Sequence, residues 1–403
     1  MVILVLNAGS SSLKFSLFAE RSPDPTCSGL IDWSKDPKHA TLTLTDAHKQ
    51  QHRQTVSAEQ HTDATKHALA ALTQKIPGGI SKLSEIQAVG HRVVHGGEHY
   101  RQSVLIDEKV KQTIADLADL APLHNPAALQ GIEAAQAALP GVPQVAVFDT
   151  AFHATIPPAN AHYALPYQWY SDWGIRRYGF HGISHAYSAG RAAELLNRPP
   201  EALRLVTCHL GNGCSITAIQ QGRSVQTTMG FTPLEGVMMG TRSGSVDPGA
   251  LLYILRQKGL SPEELEHQLQ EESGLKGISG LSGDVRMLLE AADQGNERAQ
   301  LALDMYTARI REAIGAMTAV LGGLDALIFT AGVGEHAALI RQQVCAPLGY
   351  LGITLDENRN EHCQPDADIS APASRVRILV IQAREDLLVA RETRRLVPPA
   401  SSR

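Results

Sequence analysis

The sequence predicts an α/β protein of two similar domains, and three observations lead there. Short apolar strands alternate with helix-periodic stretches along the chain. A strand–turn–strand segment at residues 2–19 is echoed by another at residues 203–219. At 403 residues the chain is too long for one simple core, and no low-complexity linker divides it. The expectation is therefore two domains packed closely around a cleft, the second beginning near residue 151.

The elements follow in order. Val2-Ile3-Leu4-Val5-Leu6 reads as a strand, residues 7–12 as a tight turn and residues 13–19 as the returning strand. Residues 20–62 are polar and His-rich, with alternation at Thr41-Leu42-Thr43-Leu44, and predict further strands on an exposed sheet. A helix is expected from Asp63 to Gln74, closed by Pro77-Gly78-Gly79. Residues 86–97 predict a buried strand running into a glycine loop. Helices follow at 108–119 and after Asn125-Pro126, then a buried strand at Val145-Ala146-Val147-Phe148.

In the second half, residues 203–210 and 216–219 are strands around the turn Gly211-Asn212-Gly213-Cys214-Ser215. Ser261-Pro262-Glu263-Glu264 is a capping box with proline at the first helical position. Residues 296–320 carry a long helical period that stops at Gly322-Gly323. Strands are expected at 325–330 and 377–381, and a last helix from Glu385.

Composition narrows the function. A formal net charge of -5 without a long basic run argues against nucleic acid as a partner. The five cysteines are scattered, with no C-x-x-C pair, so neither a disulfide framework nor a zinc knuckle is signalled. His91 and His95 stand four apart, but on a strand-to-loop stretch that spacing does not aim two rings at one metal. The opening strand is too short for a secretory or membrane segment, which predicts a soluble cytoplasmic protein with no membrane partner.

Three glycine segments follow strands, at residues 7–12, 211–215 and 331–334. Such turns gather backbone N–H groups without side-chain obstruction and suit phosphate oxygens. None is a Walker A motif or a G-x-G-x-x-G. With Ser10, Ser12 and Lys14 in the first and Asn212 in the second, they favour a nucleotide held between two domains.

Asn7-Ala8-Gly9-Ser10-Ser11-Ser12-Leu13-Lys14-Phe15 resembles the opening signature of the acetate kinases, close relatives of propionate and butyrate kinases. The resemblance spans essentially the whole chain. It continues through His91-Arg92-Val93-Val94-His95-Gly96-Gly97, Ala121-Pro122-Leu123-His124-Asn125-Pro126 and Phe148-Asp149-Thr150-Ala151-Phe152-His153. Tyr178-Gly179-Phe180-His181-Gly182, His209-Leu210-Gly211-Asn212-Gly213 and Met239-Gly240-Thr241-Arg242-Ser243-Gly244 extend it.

That resemblance implies the two-domain α/β fold of the sugar-kinase, actin and chaperone-ATPase superfamily, closing on ATP, and a homodimer. Residues 1–150 would form the N-terminal domain, completed by a C-terminal helix at 385–403, and residues 151–384 the nucleotide-binding domain. Arg92, Asp149, His181 and Arg242 fall on the family's catalytic positions, and Asn7 and Glu385 on the metal side, for Mg2+ or alternatively Mn2+. Arg92, Val94, Leu123, Phe180 and Pro233 fall on the acid-binding side. The nucleotide side takes Ser10, Ser12, Lys14, His209, Leu210, Gly211, Asn212, Gly213, Asp284, Val285, Arg286, Ala331, Gly332, Val333, Gly334 and Glu335. The activity implied is reversible phosphorylation of acetate by ATP.

The chemistry of the residue types agrees. A carboxylate is ionised at pH 7 and needs no general base. What it needs is neutralisation of charge on the transferring phosphoryl group. Arg92 and Arg242 supply forked donors, and His181 can donate to the same oxygens. Asp149 and Glu385, near strand ends, suit Mg2+ held through water. A direct in-line transfer is expected, without a covalent phosphate carrier.

Four positions depart from the family pattern. Ala331 and His336 stand where Gly and Asn are expected, Arg384 where a small polar or acidic residue is usual, and Gln226 where Asp is expected. Two rival readings remain: a propionate or butyrate kinase, since one methylene changes binding by only about 1–3 kcal/mol, and a nucleotide-binding switch without acid-kinase activity. Val94 suggests a snug pocket, which favours acetate; the two arginines with His181 speak against a simple switch.

Overall fold

The computed structural model describes residues 1–19, 22–122 and 124–398 of the 403. The chain divides into two units, Met1–Phe152 with the segment from Arg384 on, and His153–Ala383.

The first unit holds strands β1 (Val2–Ala8), β2 (Ser12–Ala19), β3 (Cys27–Asp32), β4 (Ala40–Thr45), β5 (Gln51–Val56), β6 (Ile86–Val93), β7 (Val104–Leu105) and β8 (Gln144–Phe148). They form one sheet in the order β5-β4-β3-β2-β1-β6-β8-β7. β1 runs antiparallel to β2 and parallel to β6, which is parallel to β8. The apolar run at Ile3–Leu6 is buried because β1 is central and covered on both faces. β5 is instead polar and exposed, as suits an edge strand that must not recruit a neighbour.

Helices His61–Leu72 and Asn125–Ala138 pack on each other, and the latter on β1 and β6. Helix Glu385–Leu396 lies against β1, β6 and β8. Its approach to β6 is close enough to require glycine: a Cβ on Gly90 would stand 2.3 Å from Thr393 Oγ1 and 2.7 Å from Val389 Cγ1.

The second unit holds β9 (Arg204–Leu210), β10 (Cys214–Gln220), β11 (Arg223–Thr227), β12 (Ala326–Thr330), β13 (Ala367–Asp368) and β14 (Arg377–Val380), in the order β11-β10-β9-β12-β14-β13. Its first three strands form an antiparallel meander, and β9, β12 and β14 run parallel. The same plan is present in β3-β2-β1-β6-β8 of the first unit. The echo between the two hairpins thus belongs to a shared five-strand topology. Helix Glu297–Leu321 packs on β10. Asn296 caps its start by accepting from Ala299 N, and Gly322 ends it at φ 64°.

Most expected elements lie within two residues of their observed bounds. The helix read at 63–74 is His61–Leu72, and that at 108–119 ends at Asp116, with a 3-10 turn at Ala118–Leu120. The Ser261 capping box is formed reciprocally with Glu264. The third glycine segment differs from the other two in being helical itself, as Ala331–His336. No helix among the described residues is long and apolar enough to cross a membrane.

Candidate active site

In the first unit the site grows from the carboxyl ends of parallel strands, where open α/β sheets bind ligands. Asn7 near the end of β1 is the register partner of Arg92 on β6, and Asp149 follows β8, with its N–H bonded to Val93 O at 2.9 Å. Arg92 Nε donates to Asp149 Oδ2 at 3.1 Å, Nη2 donates to the same oxygen, and Nη1 donates to Asn7 Oδ1 at 3.3 Å. Glu385, the first residue of the last helix, brings Oε2 to 3.6 Å from Arg92 Nε. Sheet register and one helix start therefore assemble all four predicted residues.

Burial works against the Arg92 charge, but Asp149 and Glu385 outweigh it and hold the guanidinium above its ordinary value. Glu385 is pushed upward by burial and by Asp149 and Asp386, against the pull of Arg92 and Lys14. Lys14 lies on β2 opposite Asn7 and is exposed. An acceptor is left over: Asp149 Oδ1 is buried and has no hydrogen-bond partner among the described residues. A buried carboxylate oxygen without a donor is costly unless a cation or ligand donor meets it.

The departure at 384 is absorbed locally. Arg384 pairs with Asp24 at 3.1 Å and Asp386 at 3.6 Å, and donates to Pro23 O. No ion pair joins it to Glu385 among the described residues, so its charge is spent within this network.

In the second unit His181 occupies the N-cap of helix Gly182–Leu196 in the left-handed region, at φ 55°. Its ring stacks on His209, the penultimate residue of β9, with centroids 4.1 Å apart. Gly213, in the β9–β10 turn, brings two predicted catalytic groups together: a Cβ there would lie 3.4 Å from Arg242 Nη1 and 3.5 Å from His181 Nε2. Arg242 donates to Pro233 O at 3.3 Å but has no ion pair among the described residues. Burial lowers its guanidinium below the ordinary value, offset only in part by Glu271 and Cys214. A half-buried arginine without a carboxylate is a ready site for an anion.

The predicted nucleotide residues of this unit also converge. Asn212 O accepts from Gly240 N at 3.0 Å, and a Cβ on Gly240 would meet Asn212 Oδ1 at 2.3 Å and Gly283 O at 3.3 Å. Next along the chain, Asp284 caps helix Val285–Asp293 and pairs with the exposed Arg286 at 2.6 Å. That partner, through its hydrogen bond first, lowers the Asp284 carboxyl. Near Gly211, where a Cβ would lie 3.5 Å from His209 Nε2 and 3.8 Å from Ala331 Cβ, helix Ala331–His336 begins. Ala331 has φ +65°, the conformation for which glycine is suited, and this is the position where the family pattern has Gly. Buried Arg341 holds the carbonyls of Gly334 and Glu335, and Glu335 Oε1 accepts from Ala383 N at 2.9 Å.

The residues expected to line the acyl pocket are divided. Val94 is buried in the first unit; Phe180 is buried and Pro233 half-buried in the second. Leu123 lies outside the described residues. His91 bonds Gln144 Oε1 at 2.7 Å, and the N–H of Gly97 donates to His95 Nδ1 at 3.0 Å. Reasoning from residues overlooked His185, Ser215 and Thr207, which bond in series behind His181. The signals were the i, i+4 spacing of His181 and His185 and the serine closing the turn at 211–215.

Residues 2–391 match the Acetokinase family. The chain belongs to that family. A curated acetate kinase of Nostoc punctiforme is 53% identical over 397 residues, covering 97% of this chain and 98% of the relative. The crystal structure of acetate kinase from Porphyromonas gingivalis superposes with a TM-score of 0.92 at 41% identity, covering 98% of this chain and 99% of that one. A propionate kinase from Francisella tularensis superposes with a TM-score of 0.90 at 38% identity, covering 98% and 100%. As an acetokinase-family member the chain is an α/β enzyme of the kinase class, and the switch reading is set aside.

Proposed function

We propose that this protein transfers the γ-phosphoryl group of ATP to acetate, giving acetyl phosphate and ADP, reversibly and in line. The observation that carries this reading is Arg242: a half-buried guanidinium with no carboxylate partner among the described residues, set beside His181 at Gly213. Acetate attacks as its carboxylate and needs no base. Forked donors from Arg242 and a donor from His181 neutralise charge gathering on the transferring group. Arg92, oriented by Asp149 and Asn7, receives the acetate carboxylate. Buried Val94 limits the length of the acid in the first unit, and Phe180 and Pro233 of the second have the apolar character that a methyl group calls for. On the nucleotide side, Asn212, the turn Gly211–Gly213, the segment Asp284–Arg286 and the start of helix Ala331–His336 take ATP, with Ser10, Ser12 and Lys14.

A divalent cation, Mg2+ first, fits the orphaned Asp149 Oδ1 together with Asn7 and Glu385. So small a protein ligand set suits an ion that keeps waters and takes phosphate oxygens. When bound, the ion offsets negative charge on the phosphates. The protein acts in the cytoplasm as a homodimer; exposed Leu165, Tyr167 and Trp173 of the second unit support a self-association face.

Acyl phosphate trapped with hydroxylamine, from ATP and Mg2+ with acetate, propionate or butyrate in parallel, tests the reading. Most product with acetate is expected. A longer acid preferred would change the substrate, and no product with any acid would overturn the proposal.

A further inference from the structure

We propose that Thr207, His185 and Ser215 form a one-directional hydrogen-bond relay that fixes the tautomer of His181, so that its neutral ring carries the proton on Nε2. The inference deepens the proposed function, because it rests on His181 as a donor to the transferring phosphoryl group.

The direction follows from counting protons. Thr207, on β9, is fully buried, and among the described residues its hydroxyl has one partner, His185 Nδ1 at 2.6 Å. If Thr207 only accepted, its own proton would be buried without an acceptor, which costs about 1–3 kcal/mol. Thr207 therefore donates and His185 Nδ1 accepts. A neutral His185 then bears its proton on Nε2, 2.7 Å from Ser215 Oγ. Having accepted there, Ser215 directs its single proton to His181 Nδ1, 2.9 Å away. With Nδ1 accepting, the neutral His181 ring holds its proton on Nε2. His185 is kept neutral by burial first and then by His153 and His209, which together pull it well below 6.5.

The consequence is chemical. His181 Nε2 lies at the same glycine as Arg242 Nη1, 3.5 and 3.4 Å from a Cβ built on Gly213. A protonated imidazole beside that guanidinium would bring like charges together. The relay supplies a donor without a second charge. Thr207, His185 and Ser215 are thus positioning residues acting through His181.

Histidine-selective 15N labelling reads the tautomer directly, with His181 assigned by the signals lost in His181→Asn. The wild type is expected to show a protonated Nε2 and an unprotonated Nδ1. Thr207→Val should move His181 toward the other tautomer and lower turnover roughly a hundredfold, while Thr207→Ser restores both. A wild-type ring protonated on Nδ1 overturns the relay, as do His181 signals unchanged in Thr207→Val. Full activity in His181→Ala would instead sink the donor role of His181, an outcome separate from the 15N result.

Discussion

His181 and Arg242 address one backbone position: a Cβ on Gly213 would lie 3.4 Å from both His181 Cε1 and Arg242 Nη1. These are ordinary contact distances, so a methyl group fits there without displacing the fold. It would nonetheless stand beside the two donors that, in the proposed reaction, meet the transferring phosphoryl group. Gly213→Ala is expected to keep its melting temperature and lose turnover, by about a hundredfold if the reacting oxygens shift by 1 Å. Parallel calorimetry and initial rates check this; unchanged turnover would place the reacting group elsewhere.

Arg242→Ala should lower kcat by about three to five orders of magnitude while ATP still binds, since a guanidinium that stabilises a phosphoryl transition state contributes on that scale. Arg242→Lys should recover little, because a point charge does not replace a planar fork. Calorimetric ATP titration beside kcat separates the two effects. A parallel loss of ATP binding would reassign Arg242 to nucleotide capture.

Ala331 offers a stability test. Replacing alanine by glycine in a helix ordinarily costs about 1 kcal/mol. At φ +65° the balance changes, because the left-handed conformation itself costs an alanine about 1–2 kcal/mol. Ala331→Gly is expected to be neutral or mildly stabilising in urea melts. An ordinary helix penalty would show that this φ carries no strain.

Acid should weaken the fold through two buried histidines. Burial lowers His91 and His95 to about 4. Both are neutral when folded above that value, whereas the unfolded chain protonates them near 6.5. Between pH 6.5 and about 4 the unfolded state binds more protons, so stability falls as pH drops through that window and levels off below it. At pH 5 the loss is on the order of 2 kcal/mol per histidine. Denaturant midpoints at pH 7 and 5 should show a smaller difference in His91→Gln than in the wild type, and equal differences would remove His91 from the account.

What could be read from sequence was what is encoded locally. The β1–β2 and β9–β10 hairpins, the Ser261 capping box and the Asn296–Gly322 helix each carry their signal within a few residues. Helix Gly182–Leu196 went unread because its N-cap is His181, whose side chain makes no cap bond. The segment at 331–336 was legible as the opening of a helix, but not the clasp on its carbonyls, which Arg341 supplies while itself fixed to Asn360, beyond any local pattern. The relay behind His181 was invisible for a like reason: it joins a helix to β9 and β10. By contrast, Asn7, Arg92 and Asp149 say little taken singly; the family resemblance marked their positions, and strand register turned them into a cluster.

Helix Glu385–Leu396 belongs to the first unit yet follows the whole second unit along the chain. On the ribosome, the sheet holding Asn7, Arg92 and Asp149 must wait, its Gly90 groove uncovered, until the whole second unit, residues 153–383, has been translated. Glu385 arrives last. A nascent chain interrupted anywhere in the second unit would carry Arg92 without one of its two acidic neighbours, so the order of synthesis leaves this cluster incomplete in every unfinished copy.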